Sequence, residues 1–182
     1  LRTFITFEFD TKSKERIAEI QRIIKQNSNK GRFKYIDNFH LTIKFLGETN
    51  HGTIDKIYKK LLESSVNFSK IHIQLNGIDA FGVGKNIRTI YLKIIGEIEK
   101  ITNIAEAVDV ITLEFGFKRE NKFTPHVTIA QDVDLKVSFD ELKNKLKEIK
   151  ISDIIFDKLV IMKSEEIDGK RVYTPLKIIH LK

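Results

Sequence analysis

The amino-acid sequence predicts an α+β fold of two pseudo-symmetric β-α-β-α-β lobes, with antiparallel sheets facing a central cleft. Three observations carry the prediction. The segment Phe39-His40-Leu41-Thr42-Ile43-Lys44-Phe45-Leu46-Gly47 returns as Thr124-Pro125-His126-Val127-Thr128-Ile129-Ala130. The separation is constant, since His40 lies 86 positions before His126 and Phe4–Phe9 lies 86 before Ile90–Ile95. The second helices correspond with a shift of one, Ile54-Asp55-Lys56-Ile57 matching Phe139-Asp140-Glu141-Leu142. A period this long is no solenoid repeat, because one repeat is already large enough to be a lobe. Residues 1–182 are read as one domain with approximate lobes 1–84 and 85–182, a layout that allows the termini to be exchanged between lobes.

In chain order, Thr3-Phe4-Ile5-Thr6-Phe7-Glu8-Phe9 is aromatic and β-branched and reads as a strand with Thr3, Ile5, Phe7 and Phe9 on one side. Asp10-Thr11 offers capping oxygens to a helix whose stripe is Ile17, Ile20, Ile23 and Ile24, ended by Asn27-Ser28-Asn29-Lys30-Gly31. In the first histidine strand, alternation sends Leu41, Ile43 and Phe45 to the core and His40 and Thr42 to the other face, about 7 Å apart. A turn at Thr49–Thr53 starts a helix through Ile54, Ile57, Tyr58, Leu61 and Leu62, and Ile71, Ile73, Leu75 and Ile78 mark a strand.

Phe81-Gly82-Val83-Gly84-Lys85-Asn86 is the boundary loop. It lacks the Ser or Thr after Lys85 that a phosphate loop needs. The order then restarts. Arg88–Ile95 is a strand, Glu97–Leu113 a helix, Glu114–Lys122 a loop, and the second histidine strand follows, with Val127 and Ile129 inward. Ser138 caps a helix burying Phe139, Leu142, Leu146 and Ile149; Ile155–Lys163 is a strand, and Asp168-Gly169 a hairpin turn that pairs it with Arg171–Leu181.

Composition narrows the function classes. The chain has no cysteine, which excludes thiol catalysis, disulfides and thiolate metal sites. A net charge of +7 favours a polyanionic partner. No apolar run is long enough to span a bilayer, so the expected location is the cytoplasm.

Two histidines beside one phosphodiester have a defined use: one takes a proton from the attacking oxygen and the other gives one to the departing oxygen. Thr42 and Thr128 would donate to the non-bridging oxygens as charge gathers there. A metal is not expected, because neither motif brings a third ligand; Asp132 and Asp134 read as strand-end solvation, and His51, His72 and His180 lack the following threonine. Lys30, Arg32 and Lys34 precede the first motif and Lys118, Arg119 and Lys122 the second. With Phe33, Tyr35 and Phe123 between them, they could hold a nucleic-acid backbone and stack a base.

These two motifs, His40–Glu48 and Phe123–Ala130, resemble those of the two-histidine (2H) phosphoesterase superfamily, in particular its LigT-like branch of RNA 2′,3′-cyclic phosphodiesterases, also called 2′-5′ RNA ligases. The likeness extends to Met162-Lys163-Ser164 and Tyr173-Thr174-Pro175-Leu176. It implies metal- and cofactor-independent opening of a terminal 2′,3′-cyclic phosphate to a 2′-phosphomonoester, with His126 as base, His40 as acid and weak reverse 2′-5′ ligation. Implied partners are RNA ends such as tRNA halves, or small nucleotides, met by a monomer. Where such proteins commonly carry arginine after the second motif this chain has Gln131, so Arg88 and Lys122 are expected to supply charge, with Phe39 and Phe123 flanking the substrate. A non-catalytic RNA- or nucleotide-binding module on the same scaffold is the alternative.

Overall fold

A computed structural model describes residues 1–84, 86–120 and 122–182. The reading of Lys85 and Asn121 as loop falls outside the described residues.

The chain runs β1 (Arg2–Glu8), α1 (Thr11–Gln26), β2 (Ser28–Phe33), β3 (His40–Glu48), α2 (His51–Ser64), β4 (Ile71–Phe81), β5 (Ile87–Gly96), α3 (Ile98–Leu113), β6 (Val127–Leu135), α4 (Phe139–Leu146), β7 (Lys150–Phe156), β8 (Lys158–Ile167) and β9 (Lys170–His180). The helices start where short polar side chains satisfy their first free amides: Asp10 accepts from Ser13 N, Asn50 from Thr53 N and Ser138 from Glu141 N. Asp168 and Gly169, at φ of 51° and 75°, make the tight turn that pairs Ile167 with Lys170.

Two antiparallel sheets result, a four-stranded one in the order β3-β1-β8-β9 and a five-stranded one in the order β2-β6-β5-β4-β7. Each takes strands from both sides of the 84/85 boundary: β8 and β9 extend the sheet of the first histidine strand, and β2 and β4 flank that of the second. The expected Ile155–Lys163 strand is therefore two strands broken at Asp157, β7 pairing with β4 and β8 with β1. Strand β2 was hidden in a polar, glycine-containing stretch that had been assigned to a helix end. Its backbone pairs with β6, a role that asks little of its side chains. Helix α4 stops at Leu146, leaving Ile149 beyond it.

One continuous core runs through both sheets, from Ile5, Phe7 and Ile17 to Val127, Ile129 and Phe156. Lys34 N donates to the Ile129 carbonyl at 3.3 Å, and Gln21 Nε2 donates to the Lys34 and Ile129 carbonyls at 2.8 and 2.9 Å. The approach to the first histidine is thus sewn to the strand of the second. Ladder partners also refine the symmetry: Ile5 faces Lys44 as Ile90 faces Ala130, so β1 and β5 correspond at 85 positions, not 86.

Candidate active site

Each histidine motif is followed by the same irregularity. In β3, Thr42 pairs with Thr6 and Lys44 with Ile5, leaving Ile43 as an extra residue; in β6, Thr128 pairs with Tyr91 and Ala130 with Ile90, leaving Ile129 extra. A β-bulge shifts the alternation by one, so the next residue on the threonine face is the third along rather than the second. That residue is Phe45 in one strand and Gln131 in the other, and both line the cleft. The expectation that Phe45 joins the core is corrected: its side chain is 70% exposed, and Lys44 takes the inward position at 4%.

His40, Thr42, His126 and Thr128 line one cavity of about 470 Å³, together with Lys34, Lys122, Phe123, Gln131 and Tyr173. His40 Nδ1 donates to the Asn38 carbonyl at 2.5 Å and His126 Nδ1 to the Thr124 carbonyl at 2.8 Å. A carbonyl only accepts, so Nδ1 carries the hydrogen in both rings and Nε2 is the atom left to exchange protons. Each ring packs against two aromatics. His40 lies 5.0 Å from Phe4 and 5.1 Å from Tyr173, and His126 lies 5.3 Å from Phe81 and 5.5 Å from Tyr91.

Burial, reinforced by the Lys34 ammonium, pushes His40 down to about 3, so the ring is neutral in the free protein at neutral pH. Lys34 is itself lowered, by its own burial and by Arg32. The Asn38 that orients His40 is buried, and its Nδ2 donates to the Arg171 carbonyl at 2.8 Å, fixing it to β9.

Two proposed substrate contacts are not at the site. Phe39 is only 1% exposed, since the residue before His40 must point to the core with Leu41. Arg88 lies against Gly82 and outside the cavity, because alternation along β5 turns Thr89 and Tyr91 toward the cleft and Arg88, the residue before Thr89, to the other face. Of the basic clusters, Lys34 and Lys122 reach the cavity, whereas Arg32 pairs with Asp132 and Arg119 with Glu106.

A buried ion pair between Lys44 and Asp109 of α3 has no signature in the sequence. Lys44 Nζ also donates to the Lys118 carbonyl at 2.6 Å, and Asp109 accepts from Glu120 N at 3.0 Å. The pair therefore ties down the loop that leads to Lys122 and His126. Strict alternation would put Lys44 on the face of His40 and Thr42, and the bulge turns it inward. Among the described residues, no group of three or more His, Asp or Glu side chains is gathered where it could hold a metal ion. Nor is any helix among them long and apolar enough to cross a membrane.

A family model described as the 2′-5′ RNA ligase superfamily matches residues 9–168. A Methanocaldococcus jannaschii protein named RNA 2′,3′-cyclic phosphodiesterase is 30% identical over 148 residues, 81% of this chain and 78% of the relative. One of the same name from Methanothermobacter thermautotrophicus is 20% identical over 183 residues, 100% of this chain and 99% of the relative. Among solved structures, E. coli LigT complexed with 3′-AMP shares the fold at a TM-score of 0.80 and 19% identity, covering 99% of this chain and 97% of that one.

Proposed function

This chain belongs to the 2′-5′ RNA ligase superfamily, as a LigT-like 2H phosphoesterase, and on that premise we propose that it hydrolyses the 2′,3′-cyclic phosphate at an RNA end to a 2′-phosphomonoester. The observation that carries the reading is that two imidazoles, each with Nδ1 committed to a backbone carbonyl, line the same cavity with a threonine beside each.

In the proposed reaction a water oxygen forms the new bond to phosphorus as the bond from phosphorus to O3′ breaks. One imidazole takes the water proton and the other delivers a proton to O3′. Thr42 and Thr128 donate to the non-bridging oxygens, and Lys34 and Lys122 add positive charge at the same cavity. In 2′-5′ ligation a 5′-hydroxyl takes the place of water: its oxygen bonds to phosphorus as the bond to O3′ breaks, and the same two imidazoles move the protons. Gln131 occupies the cleft position three residues after Thr128 and offers an amide where relatives commonly offer a guanidinium.

The resemblance assigns His40 as acid and His126 as base, but the surroundings of His40 favour the opposite. A ring held neutral before substrate arrives is ready to accept a proton. Lys34 contributes to that depression, and an arriving phosphate monoanion offsets its charge, so the affinity of His40 for the proton rises once substrate is bound. His40 is therefore the proposed base and His126 the proposed acid.

The test is incubation with a short RNA ending in a 2′,3′-cyclic phosphate, with EDTA present, and identification of the product by phosphorus NMR. The expected product is the 2′-monoester. RNA binding without product returns the chain to the non-catalytic reading, and loss of activity in EDTA with rescue by a divalent ion overturns the metal-free reaction. Roles are read with a substrate whose bridging 3′ oxygen is sulfur, a leaving group that needs no proton. It should rescue His126→Ala and not His40→Ala; rescue of His40→Ala alone restores the roles that the resemblance implies.

A further inference from the structure

Two smaller cavities share walls with the central one, and their walls differ in charge. The first, about 220 Å³, shares Arg2, Phe45 and Tyr173 with it and adds Arg171. The second, about 150 Å³, shares Glu120 with it and adds Glu106 and Asp109, with no cationic residue in its lining. A substrate whose terminal phosphate sits between the histidines must send the rest of its chain out of the cleft, and every nucleotide of that chain carries a negative charge. Glu106 and Asp109 are matched by Arg119 and Lys44, which leaves Glu120 facing the second exit, whereas Arg2 and Arg171 make the first the exit of the two that attracts it.

The arginine wall also carries an aromatic platform. The Phe45 ring is 70% exposed, an unusual position for a phenylalanine, and is held 6.0 Å from the buried Phe4 ring. Burial raises the Tyr173 phenol, and Arg171 and Arg2 both act against that rise, so the two guanidiniums converge on one tyrosine. Arg171 has one weak acidic contact, Glu166 at 3.7 Å. Its backbone carbonyl accepts from Asn38, whose own carbonyl accepts from His40, so this wall and the orientation of His40 are joined by two consecutive hydrogen bonds.

We propose that the cavity of Arg2, Phe45, Arg171 and Tyr173 is the subsite for the nucleotide on the 5′ side of the cyclic-phosphate residue, with its phosphodiester on the arginines and its base stacked on Phe45. The assignment rests on the phosphodiesterase reading and adds to it a substrate class: oligoribonucleotide ends in preference to mononucleotide cyclic phosphates. Guanidinium–phosphate contacts and aromatic stacking tolerate any base, so the preference is for chain rather than for sequence.

The experiment is calorimetric titration of the full chain with a dinucleotide ending in a 2′-phosphate and with the matching nucleoside 2′-monophosphate, which needs no turnover. The dinucleotide is expected to bind about tenfold more tightly, as one charge-assisted contact would give. Arg171→Gln, and separately the exposed Phe45→Ala, should bring the ratio of the two affinities toward one. Arg171→Gln should also lower the salt slope of dinucleotide binding by about 0.7, the share of one single-strand phosphate contact. Equal affinities in the unmodified protein, or a loss that falls equally on both ligands in the variants, overturn the subsite. Parallel turnover assays separate the two ideas. Turnover with equal affinities removes the subsite and keeps the reaction, whereas a preserved affinity ratio without turnover supports the subsite and removes the reaction.

Discussion

His40 and His126 are oriented by the same device, an Nδ1 hydrogen bond to the carbonyl two residues back and a pair of flanking aromatics, yet they sit in different surroundings. The carbonyl that holds His40 belongs to buried Asn38, itself tied to β9, and the ring is pushed down to about 3 by burial and Lys34. The carbonyl that holds His126 belongs to exposed Thr124, on a loop whose anchor is the Lys44–Asp109 pair on the other side of the cleft. Symmetric placement and asymmetric surroundings are what acid-base catalysis needs, since two identical rings would compete for one protonation state.

The comparison can be broken most severely by removing either ring. His40→Ala and His126→Ala should each lower kcat/KM by about 10²–10⁴-fold, the usual worth of a general acid or base, with circular dichroism unchanged. Asp109→Ala would test the tie between the halves. Leaving Lys44 buried without its partner should cost about 3–5 kcal/mol in urea unfolding, and much of it should return in the Lys44→Met, Asp109→Leu double variant. Thr42→Val and Thr128→Val should each cost about 10²-fold in kcat, because the hydroxyls act on charge that develops in the transition state. A large difference between the two would show which half carries the oxyanion.

Between mildly acidic and neutral pH a smaller effect is expected, on stability. His40 has a lower pKa folded, about 3, than the ordinary 6.5 of the unfolded chain. Above pH 6.5 the ring is neutral in both states and its contribution is fully present; between 6.5 and 3 the unfolded chain binds a proton that the folded one refuses. Stability should therefore fall with pH across that window, by up to about 1.4 kcal/mol per pH unit from this residue. His40→Gln should flatten the fall when denaturation midpoints are compared at a mildly acidic and a neutral pH.

The proposed catalytic quartet was legible because strand alternation alone puts a histidine and the threonine two places on the same face, and the second copy pointed to a shared site. What lay beyond the bulges was not. Ile43 and Ile129 look like ordinary inward residues, so nothing in the sequence announced that Phe45 would face the cleft or that Lys44 would be buried on Asp109, far along the chain. Phe39 is suggested by its place beside His40 and Arg88 by its charge, and the alternation that places their neighbours turns both away from the cleft. Gln131, Lys122 and Phe123 do line the cavity. Tyr173 and Phe81 come to the histidines through strand pairings and side-chain contacts that no local pattern encodes. Antiparallel sheets facing a cleft are legible in the sequence, while Ile155–Lys163 reads as one strand across the break at Asp157.

The central claim, that both rings serve one phosphorus, is tested most directly by the His40→Ala, His126→Ala double variant assayed beside the two single variants on an RNA cyclic-phosphate end. Groups that act in one transition state are not additive, so the double variant should be scarcely slower than the slower single one. Losses that multiply, or full activity in either single variant, would mean that the two histidines do not act on the same reaction.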